Sequence, residues 1–81
     1  MTTTRTDTHE FTIKFFEPYQ SFEVNFRPLN AKTGQPWQAS HRVEVGADVQ
    51  PEGWRRPITY STFELAEAAR DRHIAKLARG R

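Results

Sequence analysis

Apolar and polar positions begin to alternate at Glu10. Phe11, Ile13 and Phe15 fall on one side of an extended backbone, and Thr12, Lys14 and Phe16 on the other. Period two with aromatic and branched residues predicts a strand with one buried face over 10–16. Glu17-Pro18-Tyr19-Gln20 reads as a turn, with Pro18 where a turn wants a fixed φ. Alternation then resumes over Ser21 to Arg27. Phe22, Val24 and Phe26 face a core, and Glu23, Asn25 and Arg27 face away. Two such runs so closely joined predict a β-hairpin.

Pro28 to Pro36, with Asn30, Lys32, Thr33 and Gly34, breaks the pattern and predicts a loop. A third strand is expected over Trp37 to Val45, with Trp37, Ala39, His41, Val43 and Val45 on one face. Gln38, Ser40, Arg42 and Glu44 share the other. Gly46 to Gly53 reads as a second loop. Trp54 to Tyr60 reads as a short edge strand, because Pro57 cannot donate to a ladder.

A helix is expected over about 62–78. Ser61 and Glu64 have capping-box spacing, and Tyr60 and Leu65 flank them as a hydrophobic staple. The run from Thr62 to Ala78 has no Gly or Pro and contains five alanines. Gly80 is placed to end it. At 100° per residue Phe63, Ala66, Ile74 and Leu77 share one side, with Ala69 at its margin. These elements predict an α+β domain over 9–81: a three- to four-stranded antiparallel sheet, β-β-β-(β)-α, packed by one C-terminal helix. Met1 to Thr8 is polar and threonine-rich and reads as a disordered lead-in.

With 81 residues, one domain of modest stability, about 3–5 kcal/mol, is expected. There is no cysteine, so neither a disulfide nor a thiolate metal site supports the core. The N-terminus lacks the apolar segment of a signal peptide, and no apolar run reaches membrane-spanning length. A cytoplasmic protein without a membrane partner is the expectation. The formal charge of +2 is small, but it is unevenly spread. Residues 1–50 hold five Lys/Arg against six Asp/Glu, giving −1; residues 51–81 hold seven against four, giving +3.

Candidate chemistry is sparse. Glu64, Glu67 and Asp71 form an acidic stripe toward the start of the helix, and Arg72, Lys76 and Arg79 a basic one toward its end. Macrodipole complementation explains that order, while a contact to phosphate or an acidic surface would use the basic stripe. Arg70 falls inside the apolar sector. Its stem can pack while its head snorkels to the rim, or it can pair at the sheet–helix seam. His9, His41 and His73 have no metal-ligand spacing, although His41 and His73 could meet if the helix packs on the third strand. Asp71 and His73 lie about 160° apart around the helix, so with Ser61 they make no triad. No cofactor and no catalysis are expected. Trp54, Arg55 and Arg56 offer an aromatic–basic patch, equally readable as a cap on a small core.

The stretch Ile58-Thr59-Tyr60-Ser61-Thr62-Phe63-Glu64-Leu65-Ala66-Glu67-Ala68-Ala69 follows the predicted strands and opens the helix. This junction and layout resemble phage-type integrase arm-binding domains and plant AP2-like domains. The resemblance implies DNA contact through the sheet face, with Arg27, Arg42 and Arg55 as candidates by position. Glu23 and Glu44, expected on that face, would oppose phosphates. The main expectation is therefore a non-catalytic interaction domain that binds a protein partner or self-associates through a sheet edge, either the Pro57 strand or a strand of the hairpin. A DNA-binding module is the alternative. Arg27, Arg42, Trp54, Arg55, Arg56, Arg70, Arg72, Lys76 and Arg79 are the candidate surface.

Overall fold

In a computed structural model the chain forms an α+β domain, as its patterning predicts. The described residues are 1–53 and 55–80, without the side chains of Ala47, Asp48, Arg56 and Pro57. The elements are β1 (Thr2–Arg5), β2 (His9–Phe16), β3 (Ser21–Pro28), β4 (His41–Arg42), β5 (Val45–Val49), β6 (Arg55–Pro57) and α1 (Phe63–Arg79). β1 to β4 form one antiparallel sheet in sequence order. β5 and β6 pair separately as a two-stranded sheet.

The hairpin forms as expected. Glu17–Tyr19 makes a single 3₁₀ turn, and Gln20 closes it in the left-handed region at φ 48°. This turn fixes the register: Glu10 faces Arg27, Thr12 faces Asn25 and Lys14 faces Glu23. Phe11, Ile13 and Val24 consequently share the inner face and are fully buried.

The helix packs on that inner face. Ala66 and Ala69 are buried in the core with Val43, and Phe63, Ile74 and Leu77 pack around them. Alanine at the contact lets the helix axis come close to the sheet. Thr62, not Ser61, is the N-cap, and its hydroxyl accepts from the Leu65 N–H at 3.2 Å. Leu65, expected to staple against Tyr60, is half exposed and lies outside the core cluster. Gly80 ends the helix at φ −78°, outside the left-handed conformation a C′ glycine commonly adopts.

Four local expectations change. Thr2–Arg5, inside the expected lead-in, is the edge strand β1, because threonine suits an extended backbone and β2 offers an unfilled edge. The third strand shrinks to His41–Arg42. Pro36 and Trp37 instead fold back along the end of β3, with Trp37 N–H donating to the Pro28 carbonyl. Trp37 is 53% exposed and Ala39 and His41 are exposed, so of that supposed inner face Val43 alone is buried. Val45–Val49, expected as the last residue of the third strand and the start of the second loop, forms β5 against β6. The edge strand expected over 54–60 is thus β6, outside the main sheet, and Trp54 lies outside the described residues.

Tyr60 then returns to the main sheet. It exchanges both backbone hydrogen bonds with Phe22, at 2.7 and 2.8 Å. Among the described residues no helix is long and apolar enough to cross a membrane.

Candidate functional site

The outer face of the sheet has no helix over it, yet it buries two carboxylates. Glu10 is 6% and Glu23 4% exposed. The hairpin register places an opposite charge across from each, Arg27 for Glu10 and Lys14 for Glu23. Neighbouring strands add a second cation to both. Arg5 on β1 faces Glu10, and Arg42 on β4 comes in beside Glu23.

The geometry is close on both sides. Arg27 reaches Glu10 Oε1 through Nε at 3.0 Å and Nη2 at 2.9 Å, while Arg5 reaches Oε2 through the same two nitrogens, each at 2.9 Å. Lys14 Nζ lies 3.1 Å from Glu23 Oε1, and Arg42 Nη1 lies 2.7 Å from Oε2. The Arg42 guanidinium also stands 5.8 Å from the Phe16 ring centroid, a cation–π contact. Burial alone would push both carboxyls up. The hydrogen bonds and charges of the paired cations outweigh it, so Glu10 and Glu23 both titrate below the ordinary carboxylate value. Four cations against two carboxylates leave this face with a net +2.

Between the two clusters lies a shallow recess. Thr12, Lys14, Asn25, Arg27, Gln38 and Ser40 line it, so the loop after β3 contributes one wall. Two of the nine predicted surface residues, Arg27 and Arg42, belong to this face. Arg5, Lys14, Glu10 and Glu23 complete it, and none of these four was selected from the sequence. Their signal lay in the hairpin register, which pairs 10 with 27 and 14 with 23 once the 17–20 turn is accepted.

The remaining candidates fall elsewhere. Arg72, Lys76 and Arg79 line a second groove, beside Val43, Glu44 and His73. Arg72 Nη2 binds Glu44 Oε1 at 2.9 Å, and the Tyr60 hydroxyl donates to the same oxygen at 2.6 Å. The Tyr60 hydrogen bond, against burial, and the Arg72 charge hold Glu44 below its usual range. Burial and the Glu44 carboxylate push the Tyr60 hydroxyl up. Glu44 is therefore engaged beside the helix, not on the outer face where alternation placed it. Arg70 is 14% exposed at its side chain and lies at the seam. It donates to Thr4 Oγ1 at 3.2 Å and pairs with Asp71 at 3.1 Å, so its partner is its own helix and β1 rather than a sheet carboxylate. Arg55 is exposed on β6, away from the main sheet, while Trp54 and the Arg56 side chain lie outside the described residues.

All three histidines pack around one ring. The centroids of His9, His41 and His73 lie 5.8, 5.8 and 4.5 Å from that of Phe26. His41 and His73 thus share Phe26 as a common neighbour. Among the described residues no group of three or more His, Cys, Asp or Glu is arranged to hold a metal ion. His73 Nε2 is buried without a hydrogen-bond partner. Burial, then the charges of Lys76 and His9, push the His73 imidazole down, with Glu44 opposing.

Compared with known proteins, the chain matches no family model, no curated protein and no solved structure.

Proposed function

We propose that this chain is a non-catalytic interaction domain that binds a protein partner through the outer face of its sheet. The supporting observation is the pair of carboxylate-centred clusters, Arg5–Glu10–Arg27 and Lys14–Glu23–Arg42, on either side of the Thr12–Asn25 recess. Each buried glutamate holds two long cationic side chains in place before any partner arrives. Side chains already ordered lose less entropy on binding. Their net positive charge selects an acidic surface and speeds encounter with it.

The test places an acid in the recess without removing a pair. Wild type, Thr12→Glu and a control, Ala75→Glu on the exposed helix surface, are immobilised and compared for captured proteins. A partner retained by wild type and the control but lost by Thr12→Glu, with circular dichroism unchanged, supports the outer face. A partner lost only by the helix variant refutes it.

The same net +2 favours one second reading, a DNA-binding module on this face with Arg27 and Arg42 among its contacts. Mixed short duplexes that bind wild type, dissociate steeply as salt rises and are lost by Thr12→Glu but kept by Ala75→Glu would replace the protein partner with nucleic acid.

A further inference from the structure

The geometry points to a second contact surface, the free edge of β1, and to another copy of this chain as its occupant. Neighbouring hydrogen bonds reveal which way the edge faces. Thr6 N–H donates to the His9 carbonyl at 2.9 Å, and Leu29 N–H to the Thr8 carbonyl at 2.8 Å. Antiparallel ladders alternate hydrogen-bonded and non-bonded pairs. With the observed register, His9, Phe11 and Ile13 therefore bond toward β1, and Glu10, Thr12 and Lys14 toward β3. On β1 the bonded positions are Thr2, Thr4 and Thr6. The backbone N–H and C=O groups of Thr3 and Arg5 point outward, away from the sheet.

The other side of the sheet is closed. Along β3, Phe22 is bonded to Tyr60, the Val24 carbonyl accepts from Val43, Phe26 pairs with His41, and the Pro28 carbonyl accepts from Trp37. β4 beyond it is two residues long. β1 lacks three of the usual edge guards, having no proline, no lysine and no bulge. Its one charge, Arg5, is drawn onto the outer face by Glu10.

β1 is also complementary to itself. A two-fold axis at Thr4 sets Thr3 of each copy opposite Arg5 of the other, so the outward groups exchange hydrogen bonds in two symmetric pairs. Thr4 faces Thr4, a favourable cross-strand pair, and no cation of β1 stands directly opposite another; Arg70, which reaches Thr4 Oγ1 from the helix near the axis, brings Asp71 with it as a counter-charge. Both helices then lie on the same side of an eight-stranded sheet, and both outer faces on the opposite side. This surface is distinct from the recess and does not depend on the function proposed for it.

A cysteine at the axis tests this cleanly, because the chain has none of its own. Thr4→Cys places two sulfurs on a non-hydrogen-bonded pair with Cα atoms about 4.5 Å apart, within reach of a disulfide. Mild oxidation should convert Thr4→Cys to a covalent dimer and leave Ala75→Cys on the helix monomeric. Wild type should show concentration-dependent mass by sedimentation, and Thr3→Pro, which removes one outward donor per copy, should weaken it about tenfold or more. Wild type that stays monomeric at about 1 mM, with Thr4→Cys failing to cross-link, overturns the inference. A dimer that cross-links through Ala75→Cys and not Thr4→Cys overturns it as well.

Discussion

Glu10 and Phe11 are adjacent in sequence, point to opposite faces of one strand, and are both buried, at 6% and 0% exposure. Phe11 is covered by other elements, since the helix brings His73 to it and β3 brings Phe26. Glu10 is covered chiefly by the side chains that neutralise it. The inner face thus gains stability from removing apolar area from water, about 25 cal/mol per Å². The outer face gains little net energy from burial, because desolvating a carboxylate costs roughly what its ion pairs return. It gains a fixed geometry instead. A one-layer sheet can therefore have a polar face as ordered as its core, if each buried charge is met by two of the opposite sign.

The sharpest way to break this contrast is to delete one residue from each face. Phe11→Ala should cost about 3–5 kcal/mol, comparable to the whole stability expected for a domain this small. Urea unfolding should show a largely unfolded population without denaturant. Glu23→Ala should cost less, about 1–3 kcal/mol, because the Lys14 and Arg42 it abandons can turn to solvent. A cost equal to that of Phe11→Ala in the same urea series would mean that the outer face is energetically part of the core.

Acid separates the faces with a smaller effect. His73 titrates below its ordinary 6.5, so the unfolded chain takes up its proton first. The inner face then loses stability as pH falls below 6.5 toward the native value. Glu10 and Glu23 titrate below 4.5 in the fold, so their contribution is complete above 4.5 and is lost as pH falls through their depressed native values. Melting temperature against pH should therefore descend in two stages. His73→Phe should flatten the upper stage and leave the lower one. A single descent beginning below 4.5 in wild type would remove His73 from the account.

The hairpin, the helix and the inner face were legible because their apolar residues recur at periods of 2 and 3.6, which the backbone itself imposes. β1 was not, because Thr2–Arg5 carries no apolar alternation, and its strand state comes from pairing with β2. The third strand was overextended because period two ran on through Trp37 and Ala39. That chain instead bonds back to Pro28 after Pro36. Glu44 alternates correctly with Arg42 but is turned to Tyr60 and Arg72. Arg27 and Arg42 were identified as basic residues, while Glu10 and Glu23, which position them, looked like ordinary solvent-facing acids. Only the register shows that each has two cations within reach.

Tyr60 has a consequence for how the molecule opens. Its backbone belongs to the sheet edge at Phe22, its hydroxyl holds Glu44, and Arg72 of the helix holds that same carboxylate. Thr62, two residues on, caps the helix. A helix lifting from the sheet must therefore pull on the edge of β3 within its first turn. Partial unfolding in which α1 swings free while the sheet stays whole should therefore be costly, and native-state hydrogen exchange should show the amides of α1 and β3 opening as one cooperative unit.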